Sequence, residues 1–125
     1  MTTEINLFKH DQHAVAVPIG TAVFRDGEPG EHMFGVISGE IAIVKHGTLI
    51  ERIGPGGIVG EMALVDHSPR SADAIAQQDT QLAVIDRRRF EHLVANHPTF
   101  ALQVMSVMAE RLRKTNEDRT GRSPT

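Results

Sequence analysis

The sequence predicts an α+β protein, mainly β: a double-stranded, jelly-roll-like β-roll that holds one short helix and is followed by two C-terminal helices. Three observations predict it. Short β-prone runs separated by turn formers follow one another from Ala14 to about Asp86, the signature of a sandwich, barrel or roll. After Asp86 the apolar spacing changes from strand-like to helical. Finally, 125 residues with a hydrophobic fraction of 40% suit a single core.

In chain order, Met1–His13 is polar and mixed, and reads as a short helix or an ordered arm. Strands are expected at Ala14–Val17, Thr21–Phe24, Met33–Ile37, Ile41–Lys45, Leu49–Ile53, Ala72–Ala76 and Gln81–Ile85. Between them stand Pro18-Ile19-Gly20, Asp26-Gly27-Glu28-Pro29-Gly30, Ser38-Gly39, His46-Gly47 and Gly54-Pro55-Gly56-Gly57, all turn chemistry. Arg87–Asn96 carries Phe90, Leu93 and Val94 on one helical face, and His97-Pro98 breaks it. Thr99 then suits a helix cap. Ala101, Val104, Met105, Met108 and Leu112 form an apolar stripe between Phe100 and about Lys114, which reads as core packing or a dimer seam. The chain is thus one domain, 1–125, with the roll at about 14–86, helices at about 87–96 and 99–118, and a disordered tail at 120–125.

Composition narrows the function classes. A formal net charge of -3 argues against a generally basic nucleic-acid-binding face. The chain has no cysteine, which excludes disulfides, thiolate metal sites and cysteine nucleophiles and fits a reducing cytoplasm. No apolar run approaches the roughly 20 residues that span a bilayer, and the first residues show no apolar signal segment behind a basic start. A cytoplasmic protein is the expectation.

The chemistry concentrates in Ile58-Val59-Gly60-Glu61-Met62-Ala63-Leu64-Val65-Asp66-His67-Ser68-Pro69-Arg70-Ser71-Ala72. Gly60 permits a sharp turn and close approach to the backbone. Glu61 to Val65 are good helix residues, so a helical turn there would present backbone N–H groups at its start. Arg70 suits a bidentate contact to a phosphate, worth about 1.5–3 kcal/mol in a partly buried site. Glu61 would repel a phosphate but accepts from a sugar hydroxyl, as an acidic residue does for ribose in dinucleotide folds. An acceptor for ribose and a cation for phosphate on a Gly-led turn describe a nucleotide-shaped site.

Gly60-Glu61-Met62-Ala63-Leu64 followed by Pro69-Arg70-Ser71-Ala72, with Arg70 nine residues after Glu61, resembles the phosphate-binding cassette of cyclic nucleotide-binding domains. Upstream, Phe24-Arg25-Asp26-Gly27-Glu28-Pro29-Gly30 leading to Ile37-Ser38-Gly39-Glu40 resembles that family's early glycine-bearing strand pair. The resemblance runs from about Val15 to Leu112. It implies that Gly60, Glu61, Met62, Ala63, Arg70 and Ser71 bind cAMP or, less readily, cGMP. Glu61 would take the ribose 2′-hydroxyl and Arg70 the exocyclic phosphate oxygens, assisted by the Ala63 and Ser71 backbone N–H groups. Val59, Leu64 and Ala72 would line the pocket or hinge. With no Trp or Tyr in the chain, a cap over the base would come from Phe100 or from an aliphatic or Arg side chain of the last helix, with Arg111 and Arg113 as candidates. The C-terminal helices would move on binding, making the protein a sensor that needs no cofactor and has no catalytic or metal residues.

Competing readings belong to other classes. Glu61 and Arg70 alone would pass for a surface ion pair of small energetic value. Seven histidines raise a cupin-like metal enzyme, but His32 lies between Glu31 and Met33 and lacks the required His-x-His pair. No G-x-S-x-G motif supports a serine nucleophile. A ligand-free interaction module of the same fold would use Phe100–Leu112 as its partner surface. Only 13 residues follow Leu112, too few for a helix-turn-helix. The expected output is therefore a protein partner or homodimer through the C-terminal helix, without direct DNA or membrane binding.

Overall fold

The computed structural model describes residues 5–120, with side chains as far as Lys114. Eight strands are present: β1 (Val15–Val17), β2 (Ala22–Phe24), β3 (His32–Ser38), β4 (Ile41–Lys45), β5 (Thr48–Ile53), β6 (Ile58–Val59), β7 (Asp73–Ala76) and β8 (Thr80–Asp86). Three helices join them: α1 (Glu61–Asp66), α2 (Arg87–Asn96) and α3 (Pro98–Thr120). The strands form two four-stranded antiparallel sheets, ordered β1-β8-β3-β6 and β2-β7-β4-β5. This is the β-roll, and every expected strand appears with bounds shifted by a residue or so. The two-residue β6 is additional. It pairs with β3 at Phe34–Val59 and Gly35–Ile58, a pairing too short to leave an alternating pattern.

Strand alternation sends one sheet's residues to two cores. On β3 and β8, Val36 and Leu82 point between the sheets, where they join Ile41, Ile53, Val59, Ala74 and Ala76. Met33, Ala83 and Ile85 point the other way, onto Leu93, Phe100, Val104 and Val107 of the helices. The first sheet is therefore covered on both faces, which explains why β3 and β8 read as nearly continuous apolar runs. Gly35 belongs to the helix side, where an added Cβ would meet the Phe8 ring at 2.6 Å. Phe8 fills that gap and meets Phe100 edge-on at 5.8 Å. The N-terminal segment is consequently an ordered arm: Ile5 and Phe8 are buried, and Asp11 pairs with Arg89 of α2.

Asp86 closes β8 and caps α2 by accepting from the Arg89 N–H at 2.8 Å. The break before α3 differs from expectation. Pro98 is itself the first helical residue, because a first-turn position has no N–H bond to lose. The apolar stripe of α3 is also corrected. Phe100, Val104 and Val107 are buried, whereas Met105 and Leu112 are 60% and 61% exposed. The helix thus has a core face and an outward apolar line that also includes Leu102. The tail expected at 120–125 lies, beyond Thr120, outside the described residues.

Candidate functional site

Gly60 opens the segment with φ 79°, a left-handed conformation that any Cβ would strain. Six residues of helix α1 follow, with no side-chain cap hydrogen bond at their start. His67, also left-handed, ends the helix by donating its N–H to the Ala63 carbonyl at 3.0 Å. The Ser68 N–H and hydroxyl both bond to Asp66, which holds that carboxyl below the usual carboxylate range. The chain then returns to Arg70, whose backbone pairs with the β2–β3 loop: Gly27 N–H to Arg70 O, and Arg70 N–H to Glu28 O, each 2.8 Å. Arg87 of α2 anchors the far side through the Leu64 carbonyl at 2.7 Å.

Arg70 and Glu61 are buried, at 6% and 1% exposure, and they do not pair with each other. The surface ion-pair alternative therefore fails on both counts. The Arg70 guanidinium donates to the Gly60 carbonyl at 3.0 Å and the His32 carbonyl at 2.7 Å. It stacks over the Phe24 ring at 4.2 Å, and among the described residues no carboxylate forms an ion pair with it. Its Nε–H is buried without a hydrogen-bond partner. Burial lowers the guanidinium's pKa from its ordinary value, against the opposing pull of Glu28 and Glu61. A buried cation without an anion is costly, so the surroundings suit an incoming negative group.

Glu61 faces the opposite way, toward α3. Its Oε1 accepts from Arg111, which also donates to the Ile58 carbonyl at 2.7 Å and to Glu51 of β5 at 3.3 Å. Beside this junction a cleft of about 540 Å³ runs between β5, the 54–57 turn and α3. The carboxylate and the guanidinium thus stand on one cassette but serve different neighbours.

The other expected residues separate into groups. Ala63 is buried beside Arg70 and Gly30, close enough that a Cβ on Gly30 would lie 2.5 Å from Ala63 Cβ. Val59 belongs to the core between the sheets and Leu64 to the helix-side core, while Ala72 is buried just before β7. Met62 is 45% exposed, and Ser71 and Arg113 are exposed. Phe100 is buried in the helix-side core and meets Phe8 and Phe90 edge-on, so it faces the core rather than the cassette. Sequence reasoning did not single out Phe24, Gly30, His32 or Glu51 as parts of the site. Their roles depend on contacts spanning tens of residues, and no local signal carries that information. Among the described residues, no three His, Asp or Glu side chains cluster to hold a metal ion, and no helix is long and apolar enough to cross a membrane.

Comparison with known proteins points to one family. Residues 14–97 match the family model described as cyclic nucleotide-binding domain. A CRP-like cAMP-activated global transcriptional regulator of Mycobacterium tuberculosis is 31% identical over 109 residues, 83% of this chain and 49% of that protein. A cyclic nucleotide-gated potassium channel of Mesorhizobium japonicum is 34% identical over 108 residues, 86% of this chain and 28% of the channel. Among solved structures, the Thermus thermophilus catabolite activator protein superposes with a TM-score of 0.76 at 29% identity, covering 86% of this chain and 53% of that one. The chain spans about half the length, or less, of the curated relatives it matches.

Proposed function

We propose, because this chain belongs to the cyclic nucleotide-binding domain family, that it is a cAMP sensor whose last helix answers to occupancy of the cassette. The observation that carries this reading is Arg70: a residue 6% exposed, without an ion-paired carboxylate among the described residues, and with an unbonded Nε–H. A cyclic phosphate supplies the missing charge. The ribose hydroxyl goes to Glu61, and the Ala63 and Ser71 backbone N–H groups assist at the phosphate. Preference for cAMP over cGMP is supported by relatives named for cAMP, in Mycobacterium tuberculosis and Thermus thermophilus. Binding domains of this family also occur in proteins named as enzymes, such as a lysophospholipase of Aspergillus oryzae. The role proposed for this chain is sensing, not catalysis.

Arg111 supports the coupling to α3. The Glu61 side chain is only 2% exposed while Arg111 holds it, so a ribose reaches that carboxylate only when α3 shifts. A hydroxyl and a guanidinium then compete for one acceptor, and occupancy becomes helix position. The outward line Leu102, Met105 and Leu112 is the proposed surface for a second copy or another protein.

Calorimetric titration of refolded, nucleotide-free protein with cAMP, cGMP and 5′-AMP tests the reading. Saturable binding is expected, tightest for cAMP and much weaker for 5′-AMP. Arg70→Ala should weaken it by about 30-fold or more, since charged hydrogen bonds are worth about 1.5–3 kcal/mol and a buried phosphate would lose its counter-charge. Glu61→Ala should weaken it less. Equal binding by wild type and both variants would refute the assignment.

A further inference from the structure

Arg70 is held ready for an anion by its immediate surroundings. Its guanidinium forms no ion pair with a carboxylate among the described residues, yet it is buried and directed. Two carbonyls, of Gly60 and His32, take one N–H from each terminal nitrogen. The Phe24 ring covers one face, 4.2 Å from Cζ to the centroid. Phe34 stands behind, 5.9 Å from the same carbon and 6.2 Å from the Phe24 ring. On another side Gly30 leaves room: a Cβ there would come within 2.7 Å of Cζ and Nε.

We propose that Phe24 is a positioning residue for the bound phosphate, acting through Arg70 by a cation–π contact backed by Phe34. The inference rests on the reading that Arg70 takes the phosphate. A carboxylate would stabilise the buried cation but neutralise it, and an arriving phosphate would have to displace it. A ring stabilises the cation through its quadrupole, by an amount that rises as the site is desolvated, and leaves the full positive charge for the ligand. The ring also fixes the plane of the guanidinium, so the donors left over after the two carbonyls, Nε–H among them, keep one orientation. Of the two rings that face the guanidinium among the described residues, Phe24 is the nearer, at 4.2 Å against 5.9 Å for Phe34.

Graded fluorination of the Phe24 ring by site-specific incorporation tests this without changing the shape of the side chain appreciably. Affinity for cAMP should fall stepwise as fluorine withdraws ring electron density, reaching roughly 5- to 30-fold for the fully fluorinated ring. Phe24→Leu should lose a similar factor and Phe24→Tyr little. The Sp and Rp phosphorothioate analogues of cAMP, which carry sulfur at one or the other exocyclic position, give a second readout. Their affinity ratio should move toward one in Phe24→Leu, because a loosened guanidinium discriminates the two oxygens less. In an Arg70→Ala background, which leaves no cation for the ring, Phe24→Leu should add nothing further. A flat fluorination series, or an unchanged Sp/Rp ratio with equal losses for all ligands, would reduce Phe24 to ordinary packing and overturn the inference while leaving the sensor reading intact. Absence of nucleotide binding by wild type would remove that reading and the inference together.

Discussion

At the scale of single residues, Gly60 joins backbone conformation to the placement of the Arg70 guanidinium. Its φ of 79° favours glycine, and an added Cβ would also lie 2.5 Å from an Arg70 terminal nitrogen. Gly60→Ala is therefore expected to cost about 1–3 kcal/mol of stability, measured by urea denaturation, and to weaken cAMP binding by displacing the guanidinium. Retention of wild-type stability and affinity would mean that the turn relaxes and that the cassette tolerates a side chain there. The spacing of Glu61 and Arg70 was visible in the sequence because both lie on one continuous stretch. Phe24 was not, since it meets Arg70 only after β2 and the cassette have folded together.

At the scale of elements, the important junction is between α1 and α3. Arg111 reaches Glu61, the Ile58 carbonyl and Glu51 from a single helical position. Arg111→Gln should loosen the second half of α3 in nucleotide-free protein, with amide hydrogen exchange there about 10- to 100-fold faster, as loss of a charge-assisted bond implies. Saturating cAMP should produce the same pattern in wild type. Exchange unchanged in the variant would show that apolar packing alone holds the helix. That packing is substantial: Phe100→Ala removes a side chain 1% exposed and is expected to cost about 3–5 kcal/mol. The periodicity of α3 announced a helix with an apolar stripe. It did not reveal that Phe100, Val104 and Val107 face the roll while Met105 and Leu112 face outward, because α3 carries apolar residues on more than one side and only packing against the first sheet and α2 selects among them.

At the scale of the whole molecule, the first sheet is a shared wall. One face closes the roll and the other carries the arm and helices, and β3 of the same sheet supplies the His32 carbonyl to Arg70. The outward residues Leu102, Met105 and Leu112, each at least 60% exposed, recur at spacings of three and seven, which suit a helix–helix seam. Sedimentation equilibrium is expected to show a species of twice 13.7 kDa, dissociated by Met105→Glu with Leu112→Glu while the roll remains folded. A monomer at every concentration would leave a different protein as the occupant of that face.

The sequence by itself determined the class of fold, the order and approximate bounds of the strands, and the cassette with Glu61 and Arg70 on it. Those features are written locally: turn formers punctuate strands, alternation marks a half-buried ribbon, and a Gly-led turn joins two charged residues of fixed separation. Only the tertiary structure decided what each charge meets. Arg70 turns toward a ring and two carbonyls, Glu61 toward an arginine fifty residues away, and the N-terminal arm into a gap left by Gly35. The reason is physical. A buried charge or ring takes its partner from whatever packing brings within a few ångströms, and that neighbour is set by the closure of the roll and not by proximity along the chain.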